Sequence, residues 1–464
     1  MSRLAVLIAT LAAALLPALA AARLPVPPVG TPRPLTLTSK RELLLDNGMR
    51  VTFVPFGTVP KTTLLLTLAT GNVADGEHTG LADVVAQMLK LGAGERDTGA
   101  VARLAAEMGG ALDISAGAEQ TTVALDVLAE HAADAVMLLA DAVRRPRLPA
   151  PDLAAVKTGM KRNLAIARSQ PQSVAGEALA QLLWGDSVYG RALPSDAQLD
   201  SIGYRDVRDF VGHEFGAARA HLYVAGQFDA AQVERALRAG FGDWAAGPAP
   251  RREIPHAASH RVVQLIDRPG AKQSTILLGS AVPGPTSDGF MDLSLANALF
   301  GGTPLLSRLD QNLREEKGYT YGVGSHLTPY RSVAGFGLSA DVNTDDTAAA
   351  LGEVFRELAV LRSTEAPAEE LKRVQNYRAG NFVIGASSRQ GLVAQLAFVE
   401  QQELGDDWLT HYVEHVQAVT PAGVRRAAAA ALDPQQMVMV VVGDLAKIKP
   451  GILALQALQG ADIR

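Results

Sequence analysis

The sequence predicts an α+β protein built of two homologous lobes that face each other across a cleft. Three observations predict it. Residues 50–56 and 62–69 (TTLLLTLA) are rich in Val, Thr and Leu, reading as strands ahead of a helix over 80–91. Residues 261–267 and 274–282 (STILLGSAV) do the same ahead of a helix over 288–300. Each half also closes alike: a strand over 221–226 (HLYVAG) precedes a helix over 230–241, and a strand over 437–443 (MVMVVVG) precedes a terminal helix. Between them, residues 245–252 (AAGPAPRR) have linker composition, so a linker over 248–257 separates lobes of nearly equal length, 39–247 and 258–464.

From the N-terminus, Arg3 supplies a short positive region and residues 4–16 an apolar one. Ala18-Leu19-Ala20 then forms a small-x-small cleavage site, the pattern of a secretory signal over 1–20. Pro17 ends an apolar stretch too short for a membrane span; an uncleaved anchor is the alternative. Residues 21–38 form an extended tether, because Pro25, Pro27, Pro28, Pro32 and Pro34 crowd it. Within the first lobe, residues 99–108, 128–144, 151–167 and 174–183 place apolar side chains three and four apart and read as helices. Grouped strands and helices give each half a sandwich, and a cleft between sandwiches is the natural place for a ligand.

Composition narrows the function. The 464 residues carry a formal charge of −5, which argues against nucleic acid as partner. The basic run at Arg144, Arg145 and Arg147 reads as a solvated helix end. Cysteine is absent, excluding disulfides, a cysteine nucleophile and a lipoprotein anchor. No Gly-x-Ser-x-Gly elbow is present, and no Gly-Lys-Ser/Thr follows Gly301-Gly302, so neither a serine hydrolase nor a phosphate loop is supported.

Residues 80–92 (GLADVVAQMLKLG) resemble the zinc helix of the pitrilysin/insulinase peptidases (inverzincins), in which His-x-x-Glu-His follows Gly-x-Ala. Two histidines one turn apart hold the metal there, and the glutamate takes a proton from bound water. Gly80, Ala82, Met88, Leu89 and Gly92 keep the frame, but Asp83, Ala86 and Gln87 occupy the first His, Glu and second His positions. The family's third ligand, a later helical Glu, falls where this chain reads Met160-Lys-Arg-Asn-Leu164. The resemblance therefore implies no metal in this chain. Residues 108–117 are similar to the family's strand that pairs with extended substrate, making Ile114, Ser115 and Ala116 substrate-strand candidates; an ordinary edge strand is the other reading.

The second half carries the positive signal. Residues 300–309 (FGGTPLLSRL) and 312–322 (NLREEKGYTYG) resemble the family's C-terminal signature, in which Arg and Tyr seven residues apart reach the substrate. Arg314 and Tyr321 match that pair. A guanidinium can stabilise a polarised carbonyl, and a phenol can donate to a developing oxyanion. A literal His411-x-x-Glu414-His415 also occurs, and Glu403, Asp406 or Asp407 could complete a site there. Its apolar stripe, Leu409, Tyr412, Val413 and Val416, turns both histidines to solvent, however, and the segment is similar to a structural one in the family.

What the resemblance implies is a mainly antiparallel sheet packed with helices in each lobe. It also implies kinship to the non-zinc, Arg/Tyr-bearing subunit of bacterial two-chain members and to the processing-peptidase-like homologues. Arg314 and Tyr321 would then support a peptide or unfolded polypeptide at the zinc of a homologous partner chain, as a heterodimer in the periplasm or outside the cell. The alternatives are an inert peptide-binding or structural member and a stand-alone zinc peptidase using His411, Glu414 and His415.

Overall fold

The computed structural model describes residues 40–464 except 192, 252, 254, 256, 258–260 and 332, and all of them belong to one compact unit. The expected signal and tether, and part of the linker, lie outside the described residues. Six strands form the first sheet: β1 (Arg41–Leu44), β2 (Arg50–Pro55), β3 (Lys61–Leu68), β4 (Asp113–Ala116), β5 (Thr121–Leu128) and β6 (Ala220–Gly226). Their order is β1-β2-β6-β3-β5-β4, and only the β2–β6 pair runs parallel. The second sheet holds β7 (Val262–Asp267), β8 (Gln273–Pro283), β9 (Thr320–Tyr330), β10 (Val333–Asn343), β11 (Val438–Gly443) and β12 (Asp462–Ile463). Its order, β9-β10-β8-β11-β7-β12, repeats the first sheet strand for strand, with the C-terminal β12 in the place of β1. The repeat in the sequence is thus a repeat in topology, and β4 and β9 are equivalent edge strands.

Each sheet has its own helices on one face. In the first lobe these include α1 (Leu81–Leu89), α2 (Thr98–Glu107), α3 (Ala132–Arg144), α4 (Leu153–Ser169), α6 (Tyr204–Glu214) and α7 (Ala230–Phe241), whose apolar stripes share one core with β2, β3 and β5. In the second they include α8 (Phe290–Asn297), α9 (Thr347–Ser363), α10 (Ala368–Ala386), α12 (Tyr412–Ala418), α13 (Pro421–Ala431) and α14 (Leu445–Leu453). The opposite face of each sheet is covered by a helix from the other half. Helix α5 (Pro171–Trp184) sets Ala175 against Val440 and Val442 of β11. Helix α11 (Arg389–Gln401) sets Leu392, Val393 and Leu396 against Val54, Tyr223 and Ala225. Full burial of a Leu or Val side chain is worth about 1.5–3 kcal/mol, so each exchanged helix is a substantial tie.

Polar contacts fix the register of the exchange. Asp126 on β5 accepts from Lys61 Nζ at 2.8 Å and from Arg389 Nη2 at 3.2 Å. Burial pushes the Asp126 carboxyl up, but the Lys61, Thr63 and Arg389 donors outweigh it and hold the group below the usual range. His221 on β6 sits with Nδ1 3.0 Å from Glu400 of α11 and Nε2 2.8 Å from Thr52 Oγ1, its ring stacked on Tyr223. Arg50 pairs with the same Glu400. The space between the lobes is therefore bridged, leaving a cavity of about 430 Å³ beside Arg50, His221, Arg331 and Glu400.

Several boundaries differ from expectation. The helix expected over 80–91 is Leu81–Leu89, because Gly80 adopts φ +88° and a side chain there would meet Pro194 Cγ at 2.9 Å. The strand expected over 108–117 pairs only over Asp113–Ala116. The helix expected over 288–300 is α-helical only over Phe290–Asn297, then widens into a π-helical turn, Ala298–Gly302.

Candidate functional site

At the start of α1, carboxylates and an amide are engaged in local hydrogen bonds. Asp75 carries the helix start: its carboxylate accepts the Gly80 and Ala82 N–H groups, each at 2.8 Å. Asn72 Nδ2 donates to Asp83 Oδ2 at 2.8 Å and to Asp75 Oδ2 at 3.2 Å. Burial pushes Asp75 up to about 6 and raises Asp83 as well. Zinc needs three His, Cys or carboxylate ligands held in tetrahedral geometry. Asp83 is the sole ionisable ligand type among the three motif positions; Ala86 is a buried methyl and Gln87 an exposed amide. Residues 160–164 of α4 supply no carboxylate. These residues do not fit the family's zinc.

The literal motif is arranged differently from its pattern. The chain bends at His411, which closes the short helix Asp406–Thr410 and precedes α12. His411, Glu414 and His415 are exposed while Tyr412, Val413 and Val416 are buried, and the two imidazoles lie 6.2 Å apart. His411 Nδ1 lies 3.0 Å from the Asp407 carbonyl oxygen. Among the described residues, no group of three or more His, Asp or Glu side chains is placed to hold a metal ion.

The structure brings Arg314 and Tyr321 to one cavity of about 390 Å³ at the β9 edge of the second sheet, which Leu305 and His326 also line. Arg314 lies in a second π-helical segment, Asp310–Glu316. Widened turns of this kind recur at functional sites because they displace one side chain from the helical repeat. Neighbours anchor the segment: Arg308 holds Glu370 through two bonds of 2.7 and 2.9 Å, and Asn312 Nδ2 donates to Glu353 and Glu357. Arg314 itself is left half-exposed, 3.7 Å from the adjacent Glu315.

Tyr321 is presented by a β-bulge. Pairing of β9 with β10 steps from Thr320↔Val342 to Gly322↔Asp341, so Tyr321 is the extra, unpaired residue and is 90 % exposed. A bulge re-aims the side chain it carries, which explains how a tyrosine in a strand faces solvent rather than the core. The buried Thr320 hydroxyl accepts the Gly322 N–H at 3.0 Å and lies within donating reach of the Gly322 and Asp341 carbonyl oxygens.

The turn before Arg314 is equally specified. Gly301 packs so closely on β9 that an added Cβ would lie 2.9 Å from Ser325 N. Leu305 adopts φ +64° and is 58 % exposed, held there by the buried Asp310, which accepts the Leu305 N–H at 3.1 Å and the Ser307 hydroxyl at 2.9 Å. Sequence reasoning did not single out Leu305 or His326. The only signal for Leu305 was its place in the Gly-rich turn, and His326 had none. The substrate-strand candidates lie elsewhere: Ile114 is buried, Ser115 is exposed, and Ala116 is partly so, all on edge strand β4.

Comparison with known proteins bears on both halves. Residues 57–196 match the family model for insulinase (peptidase family M16), and residues 201–377 match the model for the peptidase M16 inactive domain. An uncharacterized zinc protease of Mycobacterium tuberculosis is 25 % identical over 369 residues, covering 78 % of this chain and 82 % of that protein. The uncharacterized zinc protease YmxG of Bacillus subtilis is 21 % identical, over 74 % of this chain and 83 % of that one. Among solved structures, a peptidase M16 inactive domain from Pseudomonas fluorescens superposes with a TM-score of 0.80 at 23 % identity, covering 87 % of this chain and 98 % of that one. A protease from Helicobacter pylori also reaches 0.80, at 15 % identity, over 88 % of this chain and all of that one. With both halves matched in sequence and the whole architecture shared, the chain belongs to the insulinase family, peptidase family M16.

Proposed function

We propose that this chain is the non-zinc subunit of an exported two-chain M16 peptidase, working beside a homologous chain that carries the intact zinc motif. The observation that carries this reading is the pairing at the β9 edge: Tyr321 stands clear of the fold on its bulge, in the same cavity as a half-exposed Arg314. Arg314 would donate N–H bonds to a peptide carbonyl oxygen as negative charge builds on it, and the Tyr321 hydroxyl would donate to the same oxygen. Donors held in place before reaction stabilise that charge without reorganising. The zinc, and the base that acts with it, belong to the partner in this reading.

The test mixes the purified chain with a homologous chain that carries the intact zinc motif and follows cleavage of an unfolded polypeptide. Arg314→Ala should lower kcat by about 10²–10³, the usual effect of removing an oxyanion donor. Cleavage that is indifferent to this chain, or to Arg314→Ala, overturns the proposal. Zinc analysis of the isolated chain adds a second check. About one equivalent of zinc per chain, lost in His415→Ala, would instead assign a stand-alone site to His411 and His415.

A further inference from the structure

We infer that Thr320 is a positioning residue for Tyr321, its hydroxyl clamping the bulge that delivers the phenol to a peptide carbonyl; the inference rests on the proposed role of Tyr321. An extra residue in a strand breaks the ladder, leaving backbone groups that the partner strand cannot pair. Here one side chain replaces the missing bonds. Thr320 Oγ1 accepts the Gly322 N–H at 3.0 Å, across the bulged residue, and its single proton is shared between the Gly322 and Asp341 carbonyls. The hydroxyl is buried, whereas the side chain that it frames is almost wholly in solvent. No packing around Tyr321 can fix its direction, so its backbone must.

The opposite strand is pinned as well. Asp341, which pairs with Gly322, has its carboxylate held by Thr275 Oγ1 at 2.5 Å and by Gln172 Nε2 of the exchanged helix α5 at 3.0 Å. The bulge therefore has a fixed floor and one adjustable clamp. Valine has the shape of threonine without the hydroxyl. Thr320→Val thus removes the clamp, leaves the Gly322 N–H unpaired, and allows Tyr321 to wander by an ångström or so.

The full chain paired with the zinc-bearing homologue provides the test. Thr320→Val should lower kcat about tenfold or more with KM within about twofold, since small misplacements at a reacting centre cost rate rather than binding. Thr320→Ser, which keeps the hydroxyl, should restore kcat. In a Tyr321→Phe background Thr320→Val should cost nothing further. A loss of the same size in that background, or none in Thr320→Val itself, overturns the inference. Hydrogen exchange on the isolated chain separates this from the catalytic reading. Thr320→Val should speed exchange of the Gly322 amide roughly tenfold with Thr320→Ser unchanged, as loss of one hydrogen bond predicts. Equal exchange in Thr320→Val and wild type defeats the clamp whatever the cleavage assay gives. Indifference of cleavage to Tyr321→Phe, with Gly322 exchange altered, defeats the catalytic role instead.

Discussion

His221 illustrates how one side chain ties the halves together and makes their union sensitive to acid. Burial, reinforced by the charges of Arg50 and Lys40, pushes its pKa down to about 3, so the neutral ring donates from Nδ1 to Glu400 and accepts the Thr52 hydroxyl at Nε2. A histidine whose folded pKa lies below its unfolded value gives stability that is complete above about 6.5 and lost as pH falls towards 3. Between pH 6.5 and 5 the loss should reach about 1.6 kcal/mol, the slope rising towards roughly 1.4 kcal/mol per pH unit below the unfolded pKa. Urea unfolding across that range should show this slope in the wild type and a flatter one in His221→Gln; equal slopes would contradict it. The sequence offered no hint of this residue: its partner Glu400 is far along the chain, and an isolated histidine in an apolar strand reads as ordinary packing. Arg314 and Tyr321 stood out in the sequence because a long motif surrounds them, and the structure sets both on one cavity.

Among elements, the regular ones were readable and the irregular ones were not. Helix α7, expected over 230–241, is found at Ala230–Phe241, because its apolar stripe is strict and Asp229 caps it by accepting the Gln232 N–H. The two π-helical turns left no trace in the apolar spacing, since Ala298, Leu299 and Phe300 continue the apolar run while the backbone widens. The first of them carries Gly301, which packs closely on β9 at Ser325, a tertiary contact that apolar spacing does not record. Gly301→Ala should therefore force the turn away from Ser325, costing about 1–3 kcal/mol as overpacking does, and disturb the Arg314 cavity. A lowered melting temperature together with weaker peptide cleavage is expected. An unchanged melting temperature would mean that the turn yields freely. The exchange of α5 and α11 was equally illegible, because an apolar helical face does not say which sheet it covers.

For the whole molecule, the exchanged helices decide how it unfolds. Two lobes joined by a linker ordinarily melt separately. Here α5 completes the second sheet and α11 the first, so neither lobe keeps its packing once the other is lost. Calorimetry should give one transition with equal calorimetric and van't Hoff enthalpies, and two resolved transitions would refute the coupling. The reciprocal arrangement also governs what can be made from pieces. A gene severed between Gly247 and Arg261 would yield two polypeptides, each exposing the apolar sheet face that the other's helix should cover, and each prone to aggregate when made alone. Co-expressed, they carry complementary adhesive surfaces and should recover the intact assembly without any covalent connection. The molecule would thus serve as a self-assembling pair of fragments.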